Sequence, residues 1–185
     1  EVRRNFPLLA EACAAVGSVQ IQNRGTMGGN IANASPAGDT FPALAVYEAR
    51  VRTVSRHGRR SLPFLGLFAG VKKTVLGQTE LIEAVELPFL HAKPARQVFR
   101  KVGTRAAQAI SKTVAAGLVW LEKGGAIKEF RFALGSMAPT VRRLTAAEAY
   151  LKGRKPSSSE IETAAGLLAK DVSPMLAETR ERPFT

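Results

Sequence analysis

Apolar residues fall every three or four positions near both ends of the chain and every second position through most of its middle, the signatures of amphipathic helices and half-buried strands. Phe6, Leu9, Cys13 and Val16 are spaced 3, 4 and 3 apart. They predict a helix over residues 8–16, with Asn5 as N-cap, Pro7 in the first turn and Gly17 as its end. Residues 19–22 read as a short extended piece leading to Gly25. Residues 30–34 read as a helical turn stopped by Pro36, and residues 40–47 as a second helix capped by Asp39 or Thr40.

Strand periodicity follows. Val51, Thr53 and Ser55 share one face of a strand over 49–55, and Arg50, Arg52 and Val54 the other. His57-Gly58 turns the chain, and 59–62 return as the hairpin partner. Phe64, Leu65, Leu67 and Phe68 form an apolar cluster in a short loop or helical turn. Another strand runs over 81–87 until Pro88. After a polar break, His91-Ala-Lys-Pro94, a strand over 97–102 precedes a run from Lys112 that is apolar on both parities, as in a central strand covered on both faces. Lys123-Gly124-Gly125 turns it back into 126–134, where Phe130, Phe132 and Leu134 alternate. A helix over 146–152 ends at Gly153. A last helix carries Ile161, Ala164, Ala165 and Leu168 on one face and is opened by Ser157 with Glu160 or Ser159 with Glu162. The fold class is α+β in two parts: 1–92, helices with an antiparallel sheet, and 93–185, antiparallel strands packed with helices.

Composition narrows the classes. The 185 residues are 45% hydrophobic and 23% charged, ordinary for a soluble globular protein, and no apolar run reaches the ~18 residues of a membrane span. Secretion signals are not visible, and a single Cys13 excludes an intrachain disulfide framework or a cysteine-only iron–sulfur site, so the cytoplasm is the expected compartment. The net charge is +12, and residues 49–112 hold thirteen Lys/Arg against three Glu. Such a basic middle either meets anionic partners or lies on solvated strand faces. Nucleic acid is disfavoured as the partner, because aromatics are only 6% of the chain and stacking platforms are few.

Residues 24–39 stand apart: Arg-Gly-Thr-Met-Gly-Gly-Asn-Ile-Ala-Asn-Ala-Ser-Pro-Ala-Gly-Asp. Side chains this small let a ligand approach the backbone. Gly28-Gly29 offers positive φ and missing Cβ atoms, so the run is either an anion cradle or a structural turn. His57 and His91 lie apart, no carboxylates cluster, and neither a nucleophile–His–acid pattern, a Walker loop nor a GxGxxG fingerprint is present. Any chemistry is therefore expected to belong to a cofactor, with no catalytic residue and no metal ligand in this chain.

The stretch 22–39 closely resembles the second FAD-contacting loop of the flavin subunits of molybdenum hydroxylases, the xanthine dehydrogenase and carbon monoxide dehydrogenase family. Glu80-Leu-Ile-Glu-Ala-Val-Glu-Leu-Pro88 resembles that family's strand beside the flavin, Phe99 to Ser111 the start of its C-terminal domain, and Ala133-Leu-Gly-Ser-Met-Ala-Pro139 its later hairpin end. The resemblance implies a partial flavin-binding domain (of the PCMH type) over 1–92 and the flavoprotein C-terminal domain over 93–185. It implies that Gly25, Thr26, Gly28, Gly29 and Asn30 approach the FAD pyrophosphate, that Ser35, Gly38 and Asp39 line the nucleotide with Asp39 accepting from a ribose hydroxyl, and that Leu81 and Ile82 pack on the isoalloxazine. Lys101 would lie at the ring's polar edge, where a cation favours flavin reduction; the alternative is a solvated strand lysine.

By the same resemblance the chain is an oxidoreductase subunit that takes electrons from an iron–sulfur partner carrying [2Fe–2S] clusters, fed by a molybdenum-cofactor subunit, and passes them through FAD to NAD+ or another acceptor. The family's earlier glycine-containing phosphate loop has no counterpart in this sequence. The expectation is therefore that the chain starts partway through a flavin subunit and binds FAD weakly or not at all by itself. Two other readings compete: an assembly module that keeps the fold without flavin, and a basic nucleic-acid-binding domain.

Overall fold

A computed structural model describes residues 1–105 and 108–172. Ala106 and Ala107, in the stretch that resembles the start of the C-terminal domain, and that domain's last residues, 173–185, lie outside the described residues. The chain opens with helices α1 (Val2–Asn5), α2 (Pro7–Ala14), α3 (Val19–Arg24), α4 (Met27–Asn33) and α5 (Phe41–Val46). Strands β1 (Arg50–Ser55) and β2 (Gly58–Pro63) follow, then a 3-10 turn at Phe64–Leu67 and strands β3 (Phe68–Gly70), β4 (Lys73–Thr74) and β5 (Leu81–Glu86). Strands β6 (Arg96–Gly103), β7 (Ser111–Leu121), β8 (Ile127–Gly135) and β9 (Arg142–Arg143) precede helices α6 (Thr145–Leu151) and α7 (Ser158–Asp171). The fold is α+β.

Every described ladder is antiparallel, in the orders β2-β1-β5, β3-β4 and β6-β7-β8-β9. The hairpin β1–β2 turns at Arg56–His57, with Val51 and Thr53 fully buried on one face as their parity requires. Strand β7 has the central place its apolar parities predict. One face carries Val114, Ala116, Leu118 and Trp120 into a core shared with Leu8, Leu9, Leu44 and Tyr47; the other carries Ala115 and Val119 toward a smaller core under α6 and α7. Both halves of the chain thus complete one hydrophobic core.

Helix α5 joins them. All six of its residues are buried. Its terminal carbonyls would be orphaned so deep in the core, and the second half supplies their donors: Arg131 Nη1 reaches Val46 O at 3.2 Å and Arg143 Nη1 reaches Ala45 O at 3.4 Å. Arg143 also grips Glu148 through bonds of 2.6 and 2.8 Å.

Several local expectations are corrected. Residues 19–22 are helical, because Ser18 Oγ accepts from Ile21 N and caps α3. Asn5 caps nothing; it ends α1, and Phe6 stands at the N-cap of α2 without a side-chain bond. Neither Asp39 nor Thr40 caps α5 by a side-chain bond, since both are engaged elsewhere. On α7, Ala164 is buried and Leu168 packs against the smaller core, whereas Ile161 is 54% exposed and Ala165 is exposed too. Ser157 is the cap, accepting from Glu160 N.

Candidate functional site

The small-residue run builds a helix entrance. Thr26, extended at φ −120°, takes the N-cap of α4 and its Oγ1 accepts from Gly29 N at 2.9 Å. Gly28 and Gly29 therefore sit inside the helix and not in a turn of positive φ; left-handed backbone occurs instead at Ala34, which closes the helix at φ 47°. What the glycines provide is proximity. A Cβ on Gly28 would stand 3.6 Å from Ile82 Cγ2 on β5, and one on Gly29 would stand 3.0 Å from Thr26 Oγ1. Asn30 is oriented by Thr40, whose Oγ1 donates to Asn30 Oδ1 at 2.7 Å.

Two cavities flank this entrance. One, of about 730 Å³, is lined by Arg3, Arg24, Thr26 and Asn30 together with apolar residues of α2 and α3 such as Cys13 and Ile21, and its lining holds two guanidinium groups and no carboxylate. The amides of the first helical turn, which have no acceptor within the helix, add positive potential there. The other, of about 380 Å³, is lined by Leu9, Gly28, Ile82, Val85 and Leu87, with Glu83 and Ala84 as well. Met27 borders both. A chamber carrying two guanidinium groups and a helix start, beside a mainly apolar slot, suits an elongated ligand with an anionic middle and a flat apolar end. The donor set fits the pyrophosphate of FAD and the slot fits its ring system.

The loop after α4 forms a second group. Ser35 Oγ accepts from Ala37 N at 3.3 Å, and Gly38 lies so close to Phe41 that a Cβ would meet its ring at 2.7 Å. Asp39 is 8% exposed. Its Oδ2 accepts from Lys101 Nζ at 2.7 Å, and its Oδ1 from Ser111 Oγ at 2.5 Å. Lys101 Nζ also donates to Ala15 O at 2.8 Å, the carbonyl just past α2. Lys101 is thus not a solvated strand lysine.

Thr26, Gly28, Gly29, Asn30 and Ile82 surround the paired cavities, with Gly25 at their edge. Ser35, Gly38, Asp39 and Lys101 gather around the loop. Leu81 joins neither group: it is 70% exposed and, as Ile82's neighbour in the strand, points to the opposite face. Sequence reasoning missed Arg3, Arg24 and Ser111. Arg24 adjoins the glycine run; Arg3 and Ser111 reach the site only by folding, Ser111 meeting Asp39 across 72 residues of chain.

Three arginines of the basic middle pair with its glutamates. Arg52 meets Glu83 and Glu86 at 2.9 and 2.8 Å, Arg59 meets Glu83 at 3.0 Å, and Arg60 meets Glu80 at 2.6 Å. Hydrogen bonds from Arg60, Thr53 and the Gly77 amide hold the Glu80 carboxyl down at about 2. His57 Nε2 accepts from Arg56, and His91 stacks on Trp120. Among the described residues no three His, Cys, Asp or Glu come together as a metal site, and no helix is long and apolar enough to cross a membrane.

Comparison with known proteins gives two consecutive family matches. Residues 1–90 match the FAD binding domain in molybdopterin dehydrogenase, and residues 98–183 the CO dehydrogenase flavoprotein C-terminal domain. The chain is 31% identical to the carbon monoxide dehydrogenase medium chain of Hydrogenophaga pseudoflava, covering 89% of this chain and 56% of that one. It is 29% identical to the putative xanthine dehydrogenase FAD-binding subunit of Escherichia coli K12, covering 98% and 62%. Its structure superposes on that of carbon monoxide dehydrogenase from H. pseudoflava with a TM-score of 0.86 at 30% identity, over 94% of this chain and 59% of that one. The chain therefore spans somewhat over half the length of these relatives.

Proposed function

Because this chain belongs to the family of FAD-binding flavoprotein subunits of molybdenum hydroxylases, the carbon monoxide and xanthine dehydrogenase type, we propose that it forms part of the FAD site of an electron-transferring oxidoreductase subunit. The observation that carries this reading is the pairing of cavities across Gly28 and Gly29, one holding Arg3 and Arg24 with no carboxylate and the other mainly apolar. Arg3, Arg24 and the first-turn amides of α4 would hold the pyrophosphate, with Thr26 fixing the helix start. Ile82 and Leu9 would pack against the ring and exclude water from it. The loop bearing Ser35, Gly38 and Asp39 would line the nucleotide. When bound, FAD would supply the redox chemistry, a relay between iron–sulfur and molybdenum-cofactor subunits and NAD+ or another acceptor, while this chain's residues bind and orient it.

The test is expression of the whole reading frame, followed by absorbance at the flavin bands and titration with FAD. Stoichiometric flavin, weakened by Arg24→Ala, supports the reading. Colourless protein that takes up no FAD overturns it and leaves the assembly module.

A further inference from the structure

Three hydrogen bonds tie the loop 35–39 to the sheet of the second half of the chain, two from strands and one from the residue that follows a third. Lys101 on β6 and Ser111 at the start of β7 each take one oxygen of Asp39, and Ser136, just past β8, donates its amide to Pro36 O at 2.9 Å. We infer that this sheet clamps the loop, and that Lys101 is a positioning residue acting through Asp39.

The side chains of Lys101 and Asp39 are only 15% and 10% exposed, so each must be neutralised by the other. Two of the three ammonium donors are committed, to Asp39 Oδ2 and to the carbonyl of Ala15. The second bond places the cation at the C-terminal end of α2, where the helix dipole favours it. Packing closes the clamp from the other side. A Cβ on Gly135 would stand 2.7 Å from Val114 Cγ1, 3.4 Å from Pro42 and 3.5 Å from Pro36 O, so the hairpin end and the loop touch with no space for a larger residue. Ser136 adopts φ 65°, a costly conformation for a residue other than glycine, at the position whose amide reaches Pro36. Residues of the first matched segment that would line the nucleotide are thus fixed by the second.

The cofactor arm of the test rests on the flavin reading above; amide exchange of the flavin-free protein does not. The full-length protein and its Lys101→Met, Asp39→Asn and Lys101→Met/Asp39→Asn variants are compared by hydrogen exchange at 35–39, by FAD affinity, and by the midpoint potential of the bound flavin. Lys101→Met is expected to speed exchange and weaken FAD binding by about tenfold or more, the scale of a lost bond to a charged group, with the potential unchanged. The double variant, which leaves no buried charge unpaired, is expected to lose less than the two single losses combined. Should Lys101→Met fail to fold, Ser111→Ala, which keeps the ion pair, is expected to speed exchange at 35–39 to a smaller degree. Unchanged exchange in the variants overturns the clamp. A shifted potential with exchange and affinity intact overturns the positioning role and makes the ammonium a direct partner of the flavin. If the parent protein takes up no FAD, the flavin reading falls and exchange alone decides the clamp.

Discussion

Arg60 holds Glu80 with both arms of its guanidinium, Nε and Nη2 each 2.6 Å from a different carboxylate oxygen. Thr53 Oγ1 and the Gly77 amide donate to the same carboxylate. Glu80, Glu83 and Glu86, at and along β5, thus offset the charge of Arg52, Arg59 and Arg60 in the hairpin.

The same contacts fix a response to acid. Glu80 falls from its ordinary 4.5 to about 2 in the folded chain, chiefly through the bond from Arg60. A depressed carboxyl contributes stability that is complete above the unfolded value and disappears as pH falls through the folded one. Unfolding followed by circular dichroism should therefore show stability declining between about pH 4.5 and 2, and Glu80→Gln should flatten that decline while lowering stability at neutral pH.

Two glycines should respond oppositely to alanine. At Gly38 a methyl would meet the Phe41 ring at 2.7 Å, and Phe41 is 1% exposed, so Gly38→Ala should cost about 1–3 kcal/mol in denaturant unfolding. At Gly28 the methyl meets Ile82 at an ordinary 3.6 Å inside a helix. Gly28→Ala should thus be neutral or stabilising by roughly 0.5–1 kcal/mol.

Thr26→Ala removes the acceptor of the Gly29 amide. Thermal unfolding should show a loss of about 1 kcal/mol, and FAD titration a weaker complex. Thr26→Ser, which keeps the hydroxyl, should restore most of both.

Arg143→Met should be the most damaging of these changes. It leaves Glu148, 12% exposed at its side chain, without its bidentate partner and removes a donor from the end of α5. Breaking a buried pair on one side costs about 3–5 kcal/mol. Arg143→Met/Glu148→Leu should recover a measurable part of that loss in urea unfolding.

Periodicity alone determined the strands β1, β2, β5, β6, β7 and β8, the helices α6 and α7, and the central place of β7, because parity and turn residues are local properties that the fold retained. The small residues of the glycine run likewise let helix α4 lie close against Ile82. The tertiary structure decided the rest. A weakly patterned segment became α3 once Ser18 capped it, and Gly28-Gly29 became helical because Thr26 supplied the missing acceptor. Asp39 and Thr40, which a local reading assigns to capping α5, were drawn to Lys101, Ser111 and Asn30, partners far along the chain. Lys101 could be read from the sequence as solvated or as facing a cofactor. Its commitment to Asp39 was settled only by packing, because the cost of burying one charge is offset by the opposite charge that folding brings beside it.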